Sequence, residues 1–237
     1  METLPVKDFR PNRSRRKMTW YERVVTRAFN KLYYDCWRRG HKRGTSPGTL
    51  SLHWFGHEMI KCPMDLWVYQ ELITETKPDW VIETGTFRGG SALYLASILS
   101  MLGHGNVVTI DPVDYEGRPE HPRITYLKGS STDADVQDQL TELVGNGKCL
   151  VILDSDHSQE HVSEELRCFA RFVNEDGYLI VEDTNVNGHP VYRKHGPGPM
   201  EAVRDFLDED IRFKSDDRME RFLLTQNPRG YLRRQAA

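Results

Sequence analysis

The run Trp80-Val81-Ile82-Glu83-Thr84-Gly85-Thr86-Phe87-Arg88-Gly89-Gly90-Ser91 joins an apolar strand to a helix through a turn of small residues, and its reading decides the fold. About twenty residues on, Val107-Val108-Thr109-Ile110-Asp111 forms a second apolar strand ending in a carboxylate, the spacing at which an acid reaches a ribose hydroxyl. The pair points to a nucleoside cofactor. The turn reads Glu-x-Gly-x-x-x-Gly-Gly rather than Gly-x-Gly-x-x-Gly, and it lacks the Lys-Ser/Thr ending of a phosphate-cradling loop. A methyl-donor nucleoside therefore ranks above NAD or ATP.

Working outward, residues 63–75 carry apolar positions at helical spacing and Pro78 stops them before the strand. Residues 91–101 supply the helix after the turn, ended by the glycines at 103 and 105, which completes a β-α-β unit. Apolar runs at 124–127, 150–153 and 178–181 alternate with helical segments at 133–144 and 160–172. This alternation predicts an α/β, Rossmann-like fold: a mainly parallel sheet with helices on both faces and ligands at the carboxyl ends of the strands. Residues 185–199, dense in Gly, Pro and His, read as an active-site loop, with a helix resuming at 200–207. Residues 222–224 and 231–232 are the candidates for the last strands.

The 237 residues, 38% hydrophobic and 28% charged, suit one α/β domain with a real core. Charge divides the chain: residues 1–45 hold 13 Lys and Arg against 4 Asp and Glu, a net +9, and the remainder is net −12. We therefore expect a basic N-terminal arm and helix over 1–48, with a helix at 20–37 and a linker at 40–48, and the main domain over 49–237. Basic runs such as residues 13–17 are usually solvated or paired with an acidic body, so a nucleic-acid partner is not expected. No stretch reaches the roughly 18 apolar residues of a membrane span, and the first 20 residues lack the apolar centre of a signal peptide, so we expect a cytoplasmic protein without a membrane partner. Cys36, Cys62, Cys149 and Cys168 show no Cys-x-x-Cys pair, which makes reduced thiols the default.

Two strands end in clustered acids, Leu150-Val-Ile-Leu-Asp154-Ser155-Asp156-His157 and Leu179-Ile-Val-Glu182-Asp183-Thr-Asn185. Neighbouring strand ends converge on one crevice, where three or four carboxylate oxygens would suit a hard cation such as Mg²⁺, Mn²⁺ or Ca²⁺. Taken singly, such acids serve as helix caps or hydrated strand ends; two clusters at successive strand ends favour the metal. His157, beside the acids, is the candidate general base, whereas His161 falls one helical turn away. Trp54, Phe55, Trp67, Tyr69, Tyr192 and His195 are candidates for an acceptor pocket, with core packing the alternative for the aromatic residues.

Over about residues 54–233 the chain resembles the cephalosporin hydroxylase/rhamnosyl O-methyltransferase family of S-adenosylmethionine-dependent enzymes. The resemblance is carried by Trp54-x-Gly56, by Lys61-Cys-Pro63-Met-Asp65-Leu-Trp67-x-Tyr69-Gln70-Glu71 and by the turn. It continues through Leu153-Asp154-Ser155-Asp156-His157, Val181-Glu182-Asp183-x-Asn185-x-Asn187-Gly188-His189-Pro190 and Gly196-Pro197-Gly198-Pro199. It implies a class I methyltransferase fold, a seven-stranded sheet with an antiparallel final strand, and a homo-oligomer. It further implies S-adenosyl-L-methionine near Glu83, Gly85, Gly89, Ser91 and Asp111, with Ser130 and Ser131 at the adenosine end. Asp156, Glu182 and Asp183 are then the implied Mg²⁺ ligands; Asp154, beside the donor, competes with Asp156 for the first position, and Asp156 is preferred. The implied activity is metal-dependent O-methylation of a small-molecule hydroxyl, on a sugar or specialised metabolite, with His157 and Asp156 catalytic. Two other readings stand beside it: a subunit of a β-lactam hydroxylation/methoxylation system, and a nonenzymatic S-adenosylmethionine- or RNA-binding protein. No sequence pattern supplies the two His and one carboxylate of an iron facial triad.

Overall fold

The computed structural model describes residues 18–42 and 52–236. The basic run at 13–17 and most of the expected linker lie outside them. In chain order the elements are α1 (Trp20–Lys42), the short hairpin β1 (Leu52–Trp54) and β2 (His57–Met59), α2 (Pro63–Thr76), β3 (Trp80–Thr84), α3 (Gly90–Leu102), β4 (Asn106–Asp111) and β5 (Ile124–Lys128). They continue with α4 (Ala134–Val144), β6 (Cys149–Leu153), α5 (Gln159–Phe169), β7 (Tyr178–Val181), α6 (Pro199–Glu209), β8 (Phe213–Ser215) and β9 (Tyr231–Arg234). No described helix is long and apolar enough to cross a bilayer.

Seven strands form one sheet in the order β5-β4-β3-β6-β7-β9-β8, parallel except at β9, which runs antiparallel to both neighbours. This is the Rossmann-like architecture expected from the β-α-β alternation. The continuous apolar strands follow from burial on both faces. Along β6, Val151 and Leu153 pack with Val136, Leu140, Val162, Leu166 and Phe169 of α4 and α5, while Leu150 and Ile152 pack with Leu66, Leu72, Ile73, Leu95 and Leu99 of α2 and α3. Side chains alternate across a strand, so successive residues feed opposite cores, and each fully buried Leu or Ile contributes about 1.5–3 kcal/mol.

Residues 222–224 do not form a strand: they overlap a single 3-10 turn at Arg221–Leu223. The outer strand is instead Phe213–Ser215, whose three residues are too few to show a period of two. The β1–β2 hairpin is equally short. It packs on the start of α3, where a Cβ on Gly90 would fall 2.3 Å from the Glu58 carbonyl oxygen.

Register fixes where the functional residues fall. Thr84 of β3 lies opposite Ile110 of β4 and Leu153 of β6, and Leu153 lies opposite Val181 of β7. The next residues, Gly85, Asp111, Asp154 and Glu182, therefore form one row along the carboxyl edge. Winding reverses between β3 and β6, the switch point at which open α/β sheets bind ligands.

Candidate active site

A cavity of about 580 Å³ opens at this switch point, a size suited to a small-molecule ligand. Gly85 forms its floor, and only glycine fits there. Its φ is +82°, and a Cβ would lie 1.8 Å from the Asp154 carbonyl oxygen. Glu83, one strand residue deeper, is fully buried and does not line the cavity; its Oε2 accepts from Thr109 Oγ1 at 2.8 Å. Gly89 also stays off the wall, packed against Pro119 and Tyr126, whereas Ser91 reaches it.

At the end of β4, the Asp111 carboxylate lines the cavity and is fixed by the backbone. Phe87 N donates to Oδ2 and Val113 N to Oδ1, each at 2.8 Å, so the acid that ends β4 is aimed before any ligand arrives. Ser130 and Ser131, just beyond β5, continue the same wall together with Ser155 and His161.

Across β6 and β7 the acids meet a buried cation. Lys61, 3% exposed, donates from Nζ to Asp154 Oδ2 at 2.6 Å and to Glu182 Oε1, and Glu83 Oε1 lies 4.0 Å away. Burial works against the ammonium, but Asp154, Glu182 and Glu83 outweigh it and hold the lysine above its usual pKa. Glu182 Oε1 also accepts from Tyr69 OH at 2.8 Å. Burial chiefly, then Asp154, pushes the Glu182 carboxyl upward against the pull of Lys61. The sequence drew attention to the motif containing Lys61 but assigned the lysine no role.

The remaining oxygens face the cavity. One ligand atom each from Asp154, His157 and Asp183 lies within 4.8 Å of the others, the sole such metal-capable group among the described residues. His157 Nε2 is 3.1 Å from Asp183 Oδ2 and 4.0 Å from Asp154 Oδ1. Asp183 has φ +54°, a left-handed conformation uncommon outside glycine, and its N–H donates to Asn227 Oδ1 at 3.1 Å. Strain of this kind, held by a specific bond, turns the carboxylate into the crevice behind β7. Burial raises the Asp183 pKa, opposed first by His157.

The preference for Asp156 over Asp154 is therefore not matched by the geometry. Asp156 lines the cavity but is absent from the metal-capable group; its Oδ1 accepts from Ser158 N at 2.7 Å, and hydrogen bonding from the Ser158 side chain, then from its backbone, lowers the Asp156 pKa. Glu182 also stands apart from that group, engaged with Lys61 and Tyr69. The residues present still fit a hard divalent cation: the Asp154 and Asp183 carboxylates converge on a cavity wall, with His157 beside them and open room for water and acceptor oxygens.

The loop at 185–199 contributes Asn185, Val186, Tyr192 and His195 to the cavity. It is anchored at its far end by Glu201, which accepts from His189 Nε2, Asn187 Nδ2 and Gly198 N at 2.7, 3.2 and 2.9 Å. α1, expected to belong to a separate arm, closes the opposite side. Asn30 accepts from Asn185 Nδ2 at 2.7 Å, Tyr33 OH donates to the Lys61 carbonyl at 2.9 Å, and Tyr34 stacks on Tyr192 with ring centres 5.1 Å apart. Among the other aromatic candidates, Trp54, Phe55, Trp67 and Tyr69 do not line the cavity. Phe55 and Trp67 are exposed, Tyr69 is buried under Glu182, and Trp54 packs edge-on to Tyr94.

Comparison with known proteins agrees with this architecture. The family model for rhamnosyl O-methyltransferase/CmcI matches residues 49–235. The rhamnosyl O-methyltransferase of Mycobacterium tuberculosis is 40% identical over 188 residues, covering 76% of each chain. Its counterpart in Mycobacterium leprae is 36% identical over 161 residues, covering 66% of this chain and 70% of that one. Among solved structures, CmcI with Mg and SAM superimposes with a TM-score of 0.60 at 23% identity, over 81% of this chain and 78% of that one.

Proposed function

The chain belongs to the rhamnosyl O-methyltransferase/CmcI family, and from that premise we propose that it is an S-adenosylmethionine- and divalent-metal-dependent O-methyltransferase acting on a hydroxyl of a sugar or specialised metabolite. One observation carries the reading: the nucleoside wall at Asp111 and the acid-imidazole group of Asp154, His157 and Asp183 share one cavity.

When bound, S-adenosylmethionine supplies the methyl group and Mg²⁺ lowers the pKa of the acceptor hydroxyl. Asp111 receives the ribose hydroxyls, and Gly85 lets the chain pass close beneath the donor. Asp154 and Asp183 offer the hard oxygens for the metal, with Lys61, itself held by Glu182, bracing Asp154 from behind. The donor would supply its methyl carbon to the acceptor oxygen, and His157, beside Asp154 and Asp183, is placed to take that oxygen's proton. The resulting imidazolium is balanced by Asp183, 3.1 Å away. Holding the reactants in line contributes on the order of 7–11 kcal/mol at the favourable limit, and the proton acceptor a further 10²–10⁴-fold, roughly.

The test is methyl transfer from labelled donor, with Mg²⁺ or with chelator, to a panel of rhamnosides and other hydroxylated metabolites, beside calorimetric titration of S-adenosylhomocysteine. Donor-product binding and chelator-sensitive transfer are expected, with His157→Ala lowering kcat by about 10²–10⁴-fold. Absence of donor-product binding at millimolar concentration would overturn the assignment.

A further inference from the structure

Behind the nucleoside wall α5 places a carboxylate that the methyl-transfer mechanism does not use. Glu165 is fully buried. Its Oε1 accepts from Ser131 Oγ at 2.6 Å and from Ser155 Oγ at 2.8 Å, and Oε2 has no partner among the described residues. His161 Nε2 lies 3.3 Å from Ser131 Oγ, 3.1 Å from Ser155 Oγ and 3.6 Å from Glu165 Oε1. Ser131 follows β5 and Ser155 follows β6, so one hidden acid ties two strand ends that are not neighbours in the sheet. Both serines and His161 line the cavity; Glu165 does not.

Hydrogen-bond arithmetic gives this cluster a polarity. A carboxylate only accepts, so both serine protons point at Glu165 and away from the cavity. His161 Nε2 faces the same two oxygens, whose protons are already committed, so it carries the hydrogen and donates. Its proximity to Glu165 also raises the imidazole pKa, which favours that protonated nitrogen. Each serine oxygen is left with lone pairs alone to offer a ligand. Without Glu165 the hydroxyls would rotate freely and serve as donors or acceptors.

We propose that Glu165 is a positioning residue that makes Ser131 and Ser155 acceptor-only, so that the site takes a nucleoside whose base bears an exocyclic amino group and rejects its oxo counterpart. The inference rests on the nucleoside reading of the cavity. An oxo group would set acceptor against acceptor and leave buried oxygens unpaired, the arrangement by which polar sites discriminate most strongly.

The experiment is calorimetric titration of the full chain, with Mg²⁺, by S-adenosylhomocysteine and by S-inosylhomocysteine, which differ in the 6-amino or 6-oxo group and in N1, an acceptor in the first and an N–H in the second. The wild type is expected to favour the amino compound by at least about tenfold. Glu165→Gln keeps the volume but supplies an N–H, which frees a serine proton toward the ligand, so the preference should fall several-fold. Ser131→Ala and Ser155→Ala read the same ratio on the wall itself and serve if the buried substitution prevents folding. An unchanged ratio in all folded variants, or an equal loss for both compounds, overturns the proposal. A wild-type ratio near one with tight S-adenosylhomocysteine binding overturns this proposal alone. Binding of neither compound removes the nucleoside reading and this inference with it.

Discussion

Lys61 Nζ and Asp154 Oδ2 lie 2.6 Å apart although 93 positions separate them in the chain, and the lysine is buried at the meeting point of three carboxylates. Removing one member of such a group strands the others in low dielectric, at a cost of about 3–5 kcal/mol. Lys61→Met should lose that amount in urea denaturation. Adding Glu182→Gln to it should recover about 1 kcal/mol or more, because the second change removes one stranded charge. Strict additivity of the two substitutions would show that the lysine does not act through Glu182.

Asp154 divides its two oxygens, Oδ2 toward Lys61 and Oδ1 toward the side of His157, so one carboxylate faces both the buried cation and the cavity. Asp154→Asn and Asp183→Asn should each weaken Mn²⁺ binding, followed by electron paramagnetic resonance, by at least about tenfold, or roughly 1.4 kcal/mol. Asp156→Asn keeps an acceptor for Ser158 N and should leave the affinity within about threefold. The reverse ranking would restore Asp156 as the ligand.

This contrast shows what the sequence could and could not disclose. Four apolar residues followed by an acid announce a strand end, so Gly85 and Asp111 could be placed at the carboxyl edge from turn chemistry and strand period, whereas the burial of Glu83 away from the cavity has no local signal. Choosing between Asp154 and Asp156 depends on the path of the chain after Leu153. There, Asp156 folds back onto Ser158 N, two residues away. Lys61 was visible only as part of a motif, since nothing beside it signals acids that arrive from β6 and β7. The charge asymmetry suggested a detached arm, yet Asn30, Tyr33 and Tyr34 bring α1 against the cavity through contacts with no local signature.

Gly85 tests how closely the cavity floor depends on the chain after β6. An added methyl would overlap the Asp154 carbonyl oxygen at 1.8 Å, a backbone atom directly after β6 rather than the end of a flexible side chain. Gly85→Ala should cost about 3 kcal/mol or more and should weaken both Mn²⁺ and S-adenosylhomocysteine binding, since Asp154 must move. Gly103→Ala is the control. It shares a positive φ of +71° but has nothing within 4 Å of its Cβ, so its cost should be about 1–2 kcal/mol with binding unchanged. Thermal melts and titrations on the two variants check the difference.

Glu220 supplies a pH dependence remote from the metal group. It accepts from Arg229 N at 2.8 Å, and burial chiefly, opposed by that bond, pushes its carboxyl up to about 7. Unfolded, the same group titrates near 4.3, roughly, so the folded chain binds more protons between these values and stability falls as pH rises. The contribution is whole below the unfolded pKa and lost as pH passes through about 7. Glu220→Gln removes the titration while leaving an oxygen for Arg229. The variant should match the wild type near pH 4 and exceed it progressively toward pH 8, by about 4 kcal/mol at most. Urea denaturation across that range gives the two curves, and parallel curves would show that Glu220 is solvated and titrates alike in both states.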